Sequence, residues 1–404
     1  MGKKILLLIS GIILIVIGIG TSIYFKAPKN PDGTLPENTF ENFFPFGVSS
    51  TSIIDQNNNG SDSPNPNNPN NADETILVPQ ENLKQVTTSE VAGAFASNSL
   101  SGTSVRYVEK VGGVVHEIPD STKVDEELVA TSIPFAYESI FDSTGNFVIN
   151  RYLDETLSKV QSYLSIVGSN SGQYLPENIL ALSPSPNSGS YFYITVDDSD
   201  KAVGIIFTPN GSKSVKILNS SFTEWNSDWP TVNNIYLTTK PSWNTKGYIY
   251  SLNTTTGIQN KVFGGINGLT TKVNQSGSHM LYSETTRNGV GLYVYNIKNS
   301  STLNTNLSTI SDKCVFAYNM IEAYCAVPNN SPSSKNPDNW YQGIESFNDS
   351  IYKINTNTGD TTYIMNISSK KGIDAVNLFL DKSNNTLYFI NKKDSTLWSL
   401  GLVK

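Results

Sequence analysis

The chain predicts an all-β fold: a seven-bladed β-propeller closed by an N-terminal outer strand and preceded by one transmembrane helix and a disordered linker. Two observations predict the ring. The first is a pair of recurrent series of strand-like segments, both with a period of about 45 residues. The second is the fit between the two ends of the repeat region, where the last unit lacks the strand that the N-terminal stretch supplies.

The repeats are read from segments such as "IYSLNTTTG" (249–257), "LYVYNIKNS" (292–300) and "IYKINTNTG" (351–359). Each alternates apolar and variable positions and then enters a turn rich in Asn, Thr or Gly, the pattern of a strand leading into a hairpin. Aligned on their aromatic position, and with "VQSYLS" and "AVGIIF" filling two gaps, they mark His116, Gln161, Ile205, Tyr250, Tyr293, Tyr352 and Trp398. One strand earlier runs a second series: Tyr107, Ile149, Tyr193, Tyr236, Tyr282, Tyr324 and Tyr388. Two series in step indicate seven copies of a four-stranded unit, the periodicity of a propeller. A sandwich would not repeat in this way.

The last unit supplies "VNLFL" (376–380), "TLYFIN" (386–391) and "LWSLGL" (397–402), then ends at Lys404 without an outermost strand. "LKQVT" (83–87) precedes the first full unit, whose innermost strand is "VAGAFA" (91–96). Pairing that leading strand with the last unit closes the ring and removes an edge that would invite aggregation.

Ahead of the propeller, residues 1–4 carry Lys3 and Lys4 and read as a cytoplasmic tail. Ile5–Phe25 follows without a charge, long enough to cross a hydrocarbon core of about 30 Å, and reads as a signal anchor. A cleaved signal peptide is the competing reading of the same run. Residues 26–82 read as an Asn/Pro-rich linker. "QNNNGSDSPNPNNPNN" (56–71) holds eight Asn and three Pro and cannot bury enough apolar surface to offset its ordering entropy. Within the linker, "DQNNNG" (55–60) matches the start of a calcium loop, but its twelfth position is Pro66. The expected location is therefore the cell membrane, single-pass, with the propeller (83–404) on the extracytoplasmic side.

The segments "VRYVEKVGGVVHEIP" (105–119), "NRYLDE" (150–155), "KCVFAYNMIEAYCAVP" (313–328) and "NWYQG" (339–343) resemble membrane-anchored TolB/WD40-like propellers of candidate-phyla bacteria with reduced genomes. The resemblance implies an anchor, a tether and a propeller. It implies no established activity, and the WD dipeptide itself is missing.

Cys314 and Cys325 are the two cysteines. A four-residue turn at Tyr318–Ile321 would place them opposite each other on the first two strands of the sixth blade, within disulfide range. An oxidising compartment favours the staple. Zinc lacks further ligands at suitable spacing, and no CxxC motif is present.

One spacing is anomalous. Tyr324 to Tyr352 exceeds the corresponding intervals in the fourth and fifth units by about 15 residues, so the sixth carries an insertion, 328–349. Trp340 and Tyr341 lie in it, and Trp243 lies in the equivalent loop of the fourth unit, 240–247. Long loops on a rigid scaffold carry recognition, and aromatics make its anchors. These three residues are the expected binding set. Packing of both Trp side chains between blades is the plainer alternative.

"DDSD" (197–200) reads as a solvated turn more than a calcium loop. Arg106 and Arg151 read as members of structural ion pairs, Arg151 with Asp154. His116 and His279 fall on different strands. No GxSxG, HExxH or P-loop motif occurs, and no catalytic residue, metal ligand or cofactor is assigned. Net charge of −7 argues against nucleic acid. The expected function is a non-catalytic module that binds an envelope or surface protein or glycan. The alternative is a propeller hydrolase or lyase, lactonase- or cyclase-like, with a metal at the central channel.

Overall fold

The structure is a computed structural model that describes residues 82–99, 102–209, 214–369 and 371–402. Residues 5–25, expected to span the membrane, and nearly all of the expected linker lie outside the described residues. Among the described residues no helix is long and apolar enough to cross a membrane.

Seven four-stranded antiparallel sheets follow one another along the chain. Blade 1 comprises β2 (Val91–Ser99), β3 (Gly102–Glu109), β4 (Val115–Pro119) and β5 (Glu126–Leu128). Blade 2 has β6 (Glu138–Phe141), β7 (Phe147–Leu153), β8 (Val160–Ile166) and β9 (Gly172–Tyr174). Blade 3 has β10 (Ala181–Pro184), β11 (Tyr191–Val196), β12 (Ala202–Phe207) and β13 (Ser214–Ser220). Blade 4 has β14 (Trp225–Asp228), β15 (Asn234–Thr239), β16 (Lys246–Asn253) and β17 (Gln259–Asn267). Blade 5 has β18 (Thr270–Val273), β19 (His279–Thr286), β20 (Gly289–Asn296) and β21 (Ser301–Asn304). Blade 6 has β22 (Cys314–Phe316), β23 (Glu322–Pro328), β24 (Asp349–Asn355) and β25 (Thr361–Asn366). Blade 7 has β26 (Ala375–Leu380), β27 (Thr386–Asn391) and β28 (Leu397–Gly401), completed by β1 (Leu83–Gln85).

The expected closure is present. Leu83 pairs with Leu400, Lys84 with Ser399 and Gln85 with Trp398. The N–H of Val86 donates to Leu397 O at 2.8 Å, and the Leu397 N–H donates to Thr87 Oγ1 at 3.0 Å.

The core is divided among the blades. Seven apolar clusters occupy the seven gaps between neighbouring sheets. One joins Phe192, Ile194 and Leu218 of blade 3 to Trp225, Leu237 and Leu252 of blade 4. Another joins Tyr107 and Val105 of blade 1 to Tyr388, Ile390 and Leu397 of blade 7. A sheet between two neighbours is covered on both faces. Second strands such as β11 (YFYITV) and β27 (TLYFIN) are therefore buried almost throughout, while outer strands such as β13 and β17 carry Ser, Asn, Lys and Gln.

Two-sided burial also explains a limit of the repeat alignment. Every residue of the two series lies on the expected second or third strand. Tyr107 faces His116, Tyr193 faces Ile205 and Tyr282 faces Tyr293. Tyr236, Tyr324 and Tyr388 instead face Ser251, Lys353 and Ser399, one position past Tyr250, Tyr352 and Trp398. One position reverses the face of the sheet. Tyr236 accordingly packs toward blade 5 while Tyr250 packs toward blade 3. Both faces accept aromatics, so the repeat sets the strand without setting the face.

Turns are closed by Asn and Asp side chains. Asn253 Oδ1 accepts the N–H groups of Thr255 and Thr256 at 3.0 and 2.9 Å, and Asn355 Oδ1 accepts that of Asn357 at 3.0 Å. These self-capping turns account for the Asn-rich hairpin motifs. "DDSD" is one of them: Asp197 Oδ1 accepts from Ser199 and Lys201.

Candidate functional site

First strands of several blades line a central cavity. Leu182 (β10), Ser227 and Asp228 (β14), Thr270 and Lys272 (β18) and Asn377 (β26) converge there around a cavity of about 420 Å³, with Glu138, Arg151 and Asp312 on its wall. Hydroxyls tie the inner strands together. Ser183 Oγ donates to Ser227 Oγ at 3.1 Å, Thr238 and Thr271 share a bond of 2.6 Å, and Ser311 Oγ donates to Thr270 Oγ1 at 2.8 Å. Such bonds run from blade 3 to the start of blade 6 and stiffen the wall.

The insertion between β23 and β24 has its own architecture. It carries one short helix, α1 (Asp338–Tyr341). Asp338 accepts from Ser242 Oγ at 3.0 Å and from the Trp243 N–H at 2.6 Å, both in the blade 4 loop. Thr285 of blade 5 donates its hydroxyl to Asn336 O at 2.6 Å. Glu345 ties the insertion to itself, accepting from Ser333 Oγ and Asn336 Nδ2, each at 2.7 Å. The insertion and the equivalent blade 4 loop thus meet across blade 5.

Trp340 is only 6 % exposed, in a cluster with Val290, Ile310 and Phe347. Its indole N–H donates to both oxygens of Asp374, at 3.2 and 3.1 Å. The Lys392 ammonium sits 4.1 Å over the ring centroid and donates to Trp340 O. Trp340 therefore anchors the insertion to blade 7 from within. Tyr341 and Trp243 keep 40 % and 38 % of their surface exposed. Of the three aromatics expected to meet a partner, these two stay exposed and Trp340 does not.

Beneath the insertion lies a charge cluster that sequence reasoning missed. Lys313, Asp349 and Asp374 are fully buried. Lys313 Nζ donates to Asp374 Oδ1 at 2.5 Å and to Ala375 O at 2.9 Å, and lies 2.9 Å from Asp349 Oδ2. Burial pushes the Asp349 carboxyl up despite Lys313, and its Oδ1 has no hydrogen-bond partner among the described residues. Burial acts on Asp374 too, but Lys313 and the Phe347 N–H outweigh it and hold that carboxyl down. Burial lowers Lys392 to about 8. A signal for this cluster was present: Lys313 and Asp374 each immediately precede the first strand of consecutive blades, a position held by Leu269 in blade 5.

Tyr341 reaches back to the cavity, its hydroxyl donating to Asp312 Oδ2. Asp312 and Tyr341 keep some exposed surface but are otherwise enclosed by protein. That enclosure pushes both groups up, and the Asp312 charge adds to the rise in Tyr341. Across the cavity, Arg151 pairs with Glu138 at 2.7 Å, and Lys272 lies 3.6 Å from Asp228. The expected Arg151–Asp154 pair does not form. Asp154 is occupied by its own turn, accepting from the N–H groups of Ser158 and Lys159, while Glu138 lies directly opposite Arg151 on the adjacent strand. Arg106 pairs with Glu117 at 3.0 Å.

The disulfide Cys314–Cys325 is present, with Cα atoms 4.1 Å apart in direct cross-strand register. The expected four-residue turn closes the hairpin: Ala317 N–H donates to Glu322 O at 2.9 Å. The histidines do not meet. His116 of blade 1 lies 3.1 Å from Asp125 and stacks on Tyr107, whereas His279 of blade 5 lies 3.0 Å from Ser278 Oγ. Among the described residues no group of three or more His, Cys, Asp or Glu is arranged to hold a metal ion.

No family model and no curated protein matches the chain. Solved structures do. The β-propeller domain of the Trilobed protease from Pyrococcus furiosus is 14 % identical, covering 76 % of this chain and 95 % of that one with a TM-score of 0.51. An oligogalacturonate lyase from Vibrio parahaemolyticus is 6 % identical, covering 80 % and 94 %, also at 0.51. TolB from Acinetobacter baumannii is 11 % identical, covering 77 % and 79 %, at 0.41, and no conclusion rests on it. The Pyrococcus domain is described as having an open velcro topology; here β1 pairs with β28. At such identities the likeness shows the fold alone, an all-β seven-bladed propeller.

Proposed function

We propose that the chain is a membrane-tethered, extracytoplasmic binding or scaffold module without catalytic activity, engaging an envelope or surface protein or glycan at the roofed mouth of its propeller. The observation that carries this reading is the bridge from blade 4 to blade 7. The insertion is bonded to Ser242 and Trp243 on one side and to Asp374 and Lys392 on the other, and it presents Tyr341 beside a polar cavity. A rigid frame lowers the entropy lost when a partner binds, and exposed aromatics beside a cavity make effective anchors.

The competing reading, a propeller hydrolase or lyase, requires carboxylates or histidines converging on the channel with a metal. Glu138, Asp228 and Asp312 do line the cavity, but among the described residues no three such groups are arranged to hold a metal, and neither His116 of blade 1 nor His279 of blade 5 lines it.

The test is chemical crosslinking in whole cells with the full-length chain, followed by identification of its neighbours. Wild type is compared with a Tyr341→Ala/Trp243→Ala double variant whose melting temperature is checked in parallel. The reading expects a defined partner set that the double variant loses. An unchanged partner set, or stoichiometric bound metal accompanied by hydrolytic or lyase turnover, would overturn it.

A further inference from the structure

We infer that Lys313 and Asp349 condense to an intramolecular amide with Asp374 as the base, so that an isopeptide bond brackets the blade 6 insertion. The inference stands apart from the binding-module reading. It assigns an autocatalytic covalent modification to the buried cluster beneath the insertion.

The groups that the reaction needs are in place. Lys313 Nζ, the nucleophile, lies 2.9 Å from Asp349 Oδ2, an oxygen bonded to the carbon it would attack. It lies 2.5 Å from Asp374 Oδ1, within hydrogen-bond reach of a general base. The Ala375 N–H donates to Asp349 Oδ2 at 2.7 Å, where negative charge builds during attack. Asp349 Oδ1 has no hydrogen-bond partner among the described residues, so no such bond holds it back from leaving. All three side chains are fully buried, and the rings of Trp340 and Phe347 stand 5.2 and 5.5 Å from Nζ. Well-oriented intramolecular reactions reach effective molarities of about 10⁵–10⁸ M. A site closed to solvent also keeps out the water that would reverse the condensation.

The two carboxyls are suited to different roles. Burial pushes Asp349 toward its neutral acid despite Lys313. Burial acts on Asp374 as well, but Lys313 and the Phe347 N–H outweigh it, with a further pull from Lys392. A neutral acid is the electrophile that condensation requires, and a carboxylate is the base. Asp374 takes one proton from the Lys313 ammonium. The neutral amine adds to Asp349 Cγ, forming the C–N bond, and the carbonyl electron pair moves onto Oδ2 beside the Ala375 N–H. A proton then passes from the added nitrogen to the Oδ1 hydroxyl, the Cγ–Oδ1 bond breaks and water leaves. The products are a neutral amide, one water and protonated Asp374. No oxidant, reductant or cofactor enters the balance. The reaction also removes both charges from a place where solvent does not stabilise them. The bond ties the residue before β22 to the first residue of β24, one on each side of β23 and the insertion.

The experiment is tandem mass spectrometry of the full-length chain, purified in detergent, then reduced, denatured and digested with trypsin. Trypsin does not cut after an acylated lysine. The expected product is residues 299–335, uncut at Lys313, joined through Asp349 to residues 336–353 and lighter by one water than the two parts together. This branched peptide should be the main form in the wild type. Lys313→Arg should abolish it, and Asp374→Asn should lower its yield at least tenfold, with melting curves recorded in parallel. Where a variant misfolds, the wild-type digest decides alone. Folded wild type that is cut normally after Lys313, releasing 336–353 by itself, would overturn the inference. A branch at Asp374 would overturn the choice of Asp349, and an undiminished branch in Asp374→Asn would overturn the base.

Discussion

Lys313 and Asp374 meet 2.5 Å apart, and neither side chain touches solvent. Asp374 also accepts from Trp340, Ser346 and the Phe347 N–H, so one buried carboxylate gathers blade 6, blade 7 and the insertion. Removing one partner of a buried pair leaves an uncompensated charge and costs about 3–5 kcal/mol. Lys313→Met is expected to destabilise the propeller by that amount in denaturant titration. Because Asp374 holds Trp340, limited proteolysis should also cut within 330–347 faster in this variant than in wild type. A loss below about 1 kcal/mol with an unchanged proteolysis pattern would mean the cluster does not secure the insertion.

Lys392 gives the same region a pH dependence. Burial lowers its pKa from the ordinary 10.5 to about 8, outweighing the attraction of Asp374. Between these values the unfolded chain holds the proton and the folded chain releases it. Stability therefore rises with pH across that window and carries the full cost of the buried ammonium below about 8. The expected result is a wild-type stability curve that climbs from about pH 8 toward 10 relative to Lys392→Met. Tyr324 and Tyr388, pushed up to about 12 chiefly by burial, stay protonated over this range, and the difference between the two proteins cancels what remains. Parallel curves would contradict the assignment.

The disulfide clips one hairpin. Cys314 and Cys325 are separated by 11 residues, a short loop, and the chain-entropy account gives about 2–3 kcal/mol. Both are almost completely buried. Reductant should therefore act slowly on the folded protein and faster once denaturant opens it. A Cys314→Ala/Cys325→Ala variant should lose roughly that stability while keeping the far-ultraviolet β signature. Collapse of the whole ring on reduction would show that the hairpin supports more than blade 6.

Most of the ring was legible because it is periodic. The seven second strands, the seven third strands and the closing strand beside Leu397–Gly401 all follow from spacing and alternation. Which face each aromatic takes did not follow, since sheets covered on both sides impose no polar alternation, as the offset of Tyr236 from Tyr250 shows. The candidate site was half legible. The length of the insertion exposed its importance, and aromatic content pointed to Trp243, Trp340 and Tyr341. What Trp340 does depends on Asp374 and Lys392, distant in sequence and brought beneath it by the packing of blade 7 on blade 6. Glu138 as the partner of Arg151 follows from cross-strand register, which sequence proximity to Asp154 concealed.

The most direct measurement is site-resolved photocrosslinking in living cells. A benzoylphenylalanine is placed at Tyr341, at the channel mouth, or at Tyr363, comparably exposed on the outer strand of the same blade. The account predicts a discrete adduct from position 341 and none from 363. Adducts from 363 with none from 341 would contradict it, because the partner would then engage the rim of the disc instead of its roofed centre.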